Sequence, residues 1–224
     1  DDATLRSLYN TIILAVCSSV IATVLGTAAA VGIDKFKKGP VRAGVMAVTN
    51  IPMTNPEIVT GISMMLLFVF VGRLVNVDAV LGFGTLLIAH VTFNLPYVIL
   101  TVLPKLRQIN KNVYEAALDL GCTEWQAFFK VILPEIMPGI VSGLMMAFTL
   151  SIDDFIISYF VSGTESQTLP IRIFSMTKRR VTPDMYALST LIFLAILVLL
   201  VISNVISARG DKKLSKNEKG GAKK

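Results

Sequence analysis

Residues 115–134 read EAALDLGCTEWQAFFKVILP. Counting from just before this stretch, Val113, Ala116, Ala117 and Leu120 recur at i, i+3, i+4 and i+7, one face of a short helix. Gly121 supplies a C-terminal stop. Thr123, with Gln126 three residues on, forms a capping box that opens a second helix. On it Trp125, Phe128, Phe129, Ile132 and Leu133 repeat the helical spacing, and Pro134 is expected to end the run. Two short amphipathic helices joined at a glycine make an L-shaped knob. Such a knob either lies along a membrane interface or is gripped by a soluble partner.

The flanking sequence is of a different kind. The chain has 224 residues, 54% hydrophobic and 16% charged, with a mean hydropathy of +0.69. Soluble domains carry more charge. Five apolar segments, 11–33, 43–72, 84–103, 139–161 and 186–207, predict transmembrane helices and hence an all-α membrane protein. The second contains Pro52 and Pro56 and is expected to be one kinked helix. Residues 1–207 are read as the membrane domain, with the knob in a loop over 104–138. Residues 208–224 are read as a basic, disordered tail.

The formal charge of +6 does not indicate nucleic acid, because the cations sit in the gaps between apolar runs. The 33–42 linker, the 104–138 loop and the tail hold fifteen of the 21 Lys and Arg. These three regions alternate onto one face, which the positive-inside rule makes cytoplasmic. Lys178, Arg179 and Arg180 run against that assignment. The given N-terminus then lies outside and the C-terminus in the cytoplasm. The opening DDATLRSLYN is no signal peptide, so an earlier span, a sixth, is expected upstream. One His and two distant Cys predict neither a metal site nor a disulfide.

Glu57, Asp153 and Asp154 fall inside apolar runs, where ionisable groups are costly and mark pathways. Glu57 and Asp153 each lie ~21 Å along their spans at ~1.5 Å per residue. His90 and, a turn deeper, Asn94 occupy the same outer layer of the third span. Asp153 and Asp154, read on one helix, point about 100° apart. One of them is therefore read as a substrate group and the other as a holder of a neighbouring helix, with Glu57 and Asn94 completing a candidate path. His90 is read as a satisfied interhelical residue, and Glu57, after Pro56, also as a cap for broken helix backbone. Carboxylates suit a cationic substrate, because an ammonium group needs a counter-charge once it leaves water.

The 115–134 segment resembles the signature loop of bacterial ABC importer permeases: Glu-Ala-Ala, three residues, Gly, nine residues, Ile, one residue, Leu-Pro. Glu115, Ala116, Ala117, Gly121, Leu133 and Pro134 fall in register, and Val131 stands in the Ile position. The wider pattern, NPEIV at 55–59, AHVTFNLPYV at 89–98, SIDDF at 151–155 and TLPIRIFSM at 168–176, is similar to the spermidine/putrescine importer permeases, on the side of the second of their two permease chains. The resemblance implies a type I importer permease of six spans whose knob is a coupling helix docked on a cytoplasmic ATPase dimer. It also implies a second homologous permease chain, an extracytoplasmic binding protein and a place in the bacterial inner membrane. The chain has no Walker-type glycine loop. It is therefore expected to carry no cofactor and no enzymatic activity, with ATP and Mg bound by the partner. The alternative cargoes within the class are ferric ion, thiamine, sulfate or phosphonate. A membrane-bound enzyme is a poor fit, since adjacent carboxylates on one helix are badly placed for acid–base work.

Overall fold

The computed structural model describes residues 2–36, 39–77, 80–164, 166–177 and 186–202. Within them the chain is helical: α1 Asp2–Lys35, α2 Pro40–Thr54, α3 Glu57–Leu74, α4 Phe83–Gln108, α5 Lys111–Asp119, α6 Glu124–Ala127, a π-helical turn Phe128–Ile132, α7 Leu133–Asp153, α8 Ile156–Val161, α9 Leu169–Thr177 and α10 Tyr186–Ile202. Among the described residues, four helices are long and apolar enough to cross a bilayer: α1, α3, α4 and the continuous stretch Glu124–Asp153. The apolar α10 is shorter, and the remainder of the 186–207 segment lies outside the described residues, as do Lys178–Arg180 and the whole tail.

α1, α4 and α7 pack on one another and form the centre. One apolar cluster joins Ala22, Ala30, Val98, Val102, Leu103, Ile136 and Ala147. A second, towards the other end, joins Leu14, Leu86, Ala89 and Phe93 to Ile157 and Val161 of α8. Lipid tails are as apolar as leucine, so burial alone does not bring such helices together, and close backbone approach does. Gly143 provides it between α7 and α4: a Cβ there would stand 2.6 Å from Thr101 Oγ1 and 3.3 Å from Val98 Cγ1. Gly143→Leu is expected to destabilise the bundle by about 1–3 kcal/mol through overpacking, seen as a lowered Tm of the purified protein in detergent. An unchanged Tm would mean that α4 and α7 do not meet here.

The structure departs from the sequence expectations at three places, two breaks and one continuation. The 43–72 segment is not one kinked helix. Pro52 sits inside α2, and Asn55 and Pro56 are extended (ψ 140° and 132°), so two separate helices result. Pro56 has no N–H to donate and disfavours the helical region for the residue before it, which ends α2 at Thr54. The 139–161 segment also divides: α7 stops at Asp153, and Asp154 (ψ 120°) opens the short α8. The two aspartates therefore do not share a helix. Conversely, Pro134 does not end the second knob helix. The Leu133 N–H bonds to the Phe128 carbonyl, five residues back. This wide turn takes in the missing proline N–H, and the helix runs on into α7.

Candidate functional site

The knob is built by local hydrogen bonds. Asn110 caps α5, accepting from the Asn112 N–H at 3.0 Å. At the other end the Gly121 N–H bonds to the Leu118 carbonyl at 2.9 Å and the Cys122 N–H to the Ala117 carbonyl at 3.1 Å. That is a Schellman closure, and Gly121 holds the left-handed conformation it requires, φ 87°. Thr123 Oγ1 then accepts from the Gln126 N–H at 3.3 Å while Gln126 Oε1 accepts from the Thr123 N–H at 3.1 Å. The capping box read from the sequence is thus formed in full.

The face read as the apolar side of α5 is buried only at Ala117. Val113, Glu115 and Ala116 are exposed, Leu120 is 86% exposed and Trp125, on the second arm, is 75% exposed. Trp125 stacks on Phe129 with ring centroids 6.3 Å apart, and Phe129 meets Phe128 edge-on at 5.3 Å. Leu133 is half-buried and Pro134 exposed. The ordered knob leaves Leu120 and a tryptophan in the open, the chemistry of a surface that meets a partner or a membrane interface.

The second region is a buried polar layer. Asp154 is the first N-terminal acceptor of α8: Oδ1 accepts from the Ile157 N–H at 3.2 Å, and Oδ2 from the Ser158 N–H and hydroxyl, both at 2.7 Å. His90 Nε2 of α4 lies 3.0 Å from Ser158 Oγ and 3.4 Å from Asp154 Oδ2. The Ser158 proton is committed to Asp154, so Nε2 must carry the proton it shares with Ser158. A turn deeper, Asn94 Nδ2 donates to Ser151 Oγ at 2.7 Å, and Ser151 Oγ lies 2.9 Å from Ser18 Oγ of α1. Four helices, α1, α4, α7 and α8, are joined through this layer. His90 Nδ1 and Asn94 Oδ1 are buried without a partner among the described residues.

Of the four residues read as a path, the structure draws Asp154 and Asn94 into this layer and leaves Glu57 and Asp153 exposed. Glu57 opens α3 directly after the Pro56 break. Asp153 closes α7. Two residues further along the chain begins an aromatic group that sequence reading did not single out: Phe155 meets Tyr159 at 5.5 Å and Phe174 at 4.7 Å. Sequence reading also missed the serines. The spacing Ser151, Asp154, Ser158 is i, i+3, i+7, a polar stripe in an apolar run, and it is the signal that would have found them. The geometry leaves two carboxylates exposed, and each can offer a cation its counter-charge.

Residues 22–216 match the family described as binding-protein-dependent transport system inner membrane component. The chain belongs to that family. It is 38% identical over 213 residues to the putrescine transport system permease protein PotI of Escherichia coli K12, covering 95% of this chain and 76% of the relative. It is 36% identical over 212 residues to the spermidine/putrescine transport system permease protein PotC of Haemophilus influenzae, covering 94% and 79%. Its fold matches a chain of the inward-facing MetNI methionine ABC transporter with a TM-score of 0.67 at 18% identity, over 95% of this chain and 94% of that one. It also matches a chain of a bacterial alginate ABC transporter, with a TM-score of 0.70 at 16% identity, over 92% and 78%. The all-α importer-permease architecture expected from the sequence is the one observed.

Proposed function

We propose that this chain is a membrane-spanning subunit of an ATP-driven importer of polyamines. The observation that carries the reading is the similarity to PotI and PotC, which extends over nearly the whole chain. The exposed carboxylates of Glu57 and Asp153 support it, since the ammonium groups of a polyamine need a counter-charge. In this reading the knob docks on an ATPase dimer, with Glu115, Ala116, Ala117 and Gly121 at the contact and Leu133 and Pro134 passing the motion into α7. ATP and Mg belong to that partner, and this chain catalyses nothing by itself. A second permease chain completes the path, and an extracytoplasmic binding protein delivers the cargo. The basic loops and tail face the cytoplasm, with the given N-terminus on the other side. Asp153 and Glu57 pass the ammonium groups along, while Asp154 and Asn94 hold the helices that position them.

The test is ATP hydrolysis by the complete complex in lipid with its binding protein, titrated with putrescine, spermidine, an amino acid and sulfate. Stimulation by polyamines alone is expected. Stimulation by another solute would overturn the cargo while keeping the machine. Asp153→Asn is expected to lower polyamine uptake about tenfold, as removing one charge-assisted hydrogen bond worth ~1.4 kcal/mol would do, with Tm unchanged. Unaltered uptake would remove Asp153 from the path.

A further inference from the structure

A cavity of about 1000 Å³ opens where α1 and α4 end, between the turn after α1 and the first knob helix. Three cations line it: Lys35 in the last turn of α1, Arg42 in the first turn of α2, and Arg107 in the last turn of α4. The N-terminus of α2 opens onto the same space, and its N-cap Gly39 supplies no side-chain acceptor. Asp34 and Glu115 also reach the cavity, yet neither forms an ion pair with any of these three cations. The lining thus keeps a net positive charge, and its cations stay outside ion-pair distance of its two carboxylates among the described residues. The rest of the wall is apolar: Phe36, Met46, Leu106, Ile109 and Ile132. Leu120 and Trp125, the most exposed apolar residues of the knob, are not part of it, while Glu115 belongs both to its wall and to the contact proposed for the ATPase.

The position in the fold selects the ligand. Lys35 and Arg107 stand where two apolar spans give way to charge, the level of a bilayer's headgroups. A site with an apolar wall at that level, a cationic rim and an uncapped helix end suits a phosphate anion carried on an acyl chain. Basic pockets between spanning helices have this chemistry, and the helix end adds to it. We propose that this cavity is a binding site for the phosphate of an anionic phospholipid, wedged between the α1–α2 turn and the knob. The lipid would set the angle of the knob against the bundle, because Tyr114 and Glu115 of α5 form one side of the cavity.

The test is native mass spectrometry of the full chain, purified with its copurifying subunits and held in discs containing phosphatidylglycerol and a neutral lipid. The double variant Arg42→Gln, Arg107→Gln is expected to retain roughly tenfold less phosphatidylglycerol. Arg42→Lys, Arg107→Lys, which keeps the charge, should retain most of it. Lys130→Gln, which removes a cation outside the cavity, should change nothing. Equal retention in the first variant, or equal loss in the Lys130 variant, would overturn the proposal. A parallel arm adds inorganic phosphate to discs of neutral lipid alone. Binding of phosphate there at the affinity of the lipid would show the site to serve a free anion and overturn the lipid assignment.

Discussion

Asp154→Ala is expected to prevent the chain from accumulating as a stable membrane protein. The substitution removes the acceptor for the Ile157 N–H, the Ser158 N–H and the Ser158 hydroxyl, and it takes away the carboxylate 3.4 Å from His90 Nε2. Leaving buried donors without an acceptor costs about 1–3 kcal/mol for each group, together a large part of the ~5–15 kcal/mol that holds a domain folded. Water cannot repair the loss cheaply, because Asp154 is buried where α4, α7 and α8 meet. Asp154→Asn should fall between, keeping one oxygen to cap α8 and pointing an amide donor at groups that already donate. The comparison that decides the matter is with Asp153→Asn, one residue away and exposed. Tm in detergent should drop sharply for Asp154→Ala and stay level for Asp153→Asn. If both variants fold alike and both lose uptake alike, the division of labour between the two aspartates is wrong.

The second large effect is at the knob. Leu120→Asp combined with Trp125→Ala should leave the bundle folded, since both side chains are exposed and the caps around them are made by the backbone at Gly121 and by Thr123 with Gln126; such exposed positions shift stability by only about 0.5 kcal/mol. The same pair should weaken capture of the ATPase by at least about thirtyfold, as loss of a central aromatic anchor costs about 2 kcal/mol or more. Two readouts check it: co-purification of the ATPase subunit, and cargo-stimulated ATP hydrolysis in the reconstituted complex. A double variant that still copurifies its ATPase and still responds to cargo would mean that the exposed face of the knob meets lipid instead.

How much of this was legible in the sequence depends on whether the signal was local. The knob was readable because its information is short-range: Gly121 must take a positive φ, and Thr123 with Gln126 caps its own helix, whatever the rest of the chain does. The spans were readable because length and apolarity suffice. The breaks at Asn55–Pro56 and Asp154–Phe155 were not. Proline kinks and proline breaks look alike in sequence, and the packing of Gly61 against Ile157 and Phe160 ties the second half of the broken span to α8. At Asp154 the break has a local partner, since the carboxylate caps α8 by taking the Ile157 and Ser158 N–H groups, but an aspartate inside an apolar run reads equally as a residue within a helix, and its approach to His90 on α4, 64 positions earlier, leaves no trace in spacing. The continuation of the knob through Pro134 is hidden for a similar reason: proline reads as a stop, while a wider turn before it absorbs the missing N–H.

The continuity of that helix has a mechanical consequence. From Glu124 to Asp153 the backbone runs 30 residues without a loop, about 45 Å at ~1.5 Å per residue. Its first turn carries Trp125 and its last carries Asp153. Midway, Gly139 and Gly143 rest directly on α4. That is a rod on a pivot, with the docking aromatic on one arm and the exposed carboxylate on the other. If a partner displaces Trp125, the pivot would carry that displacement, reversed in direction, toward the acidic end, with the π-helical turn Phe128–Ile132 and Pro138 as the points where the rod can bend.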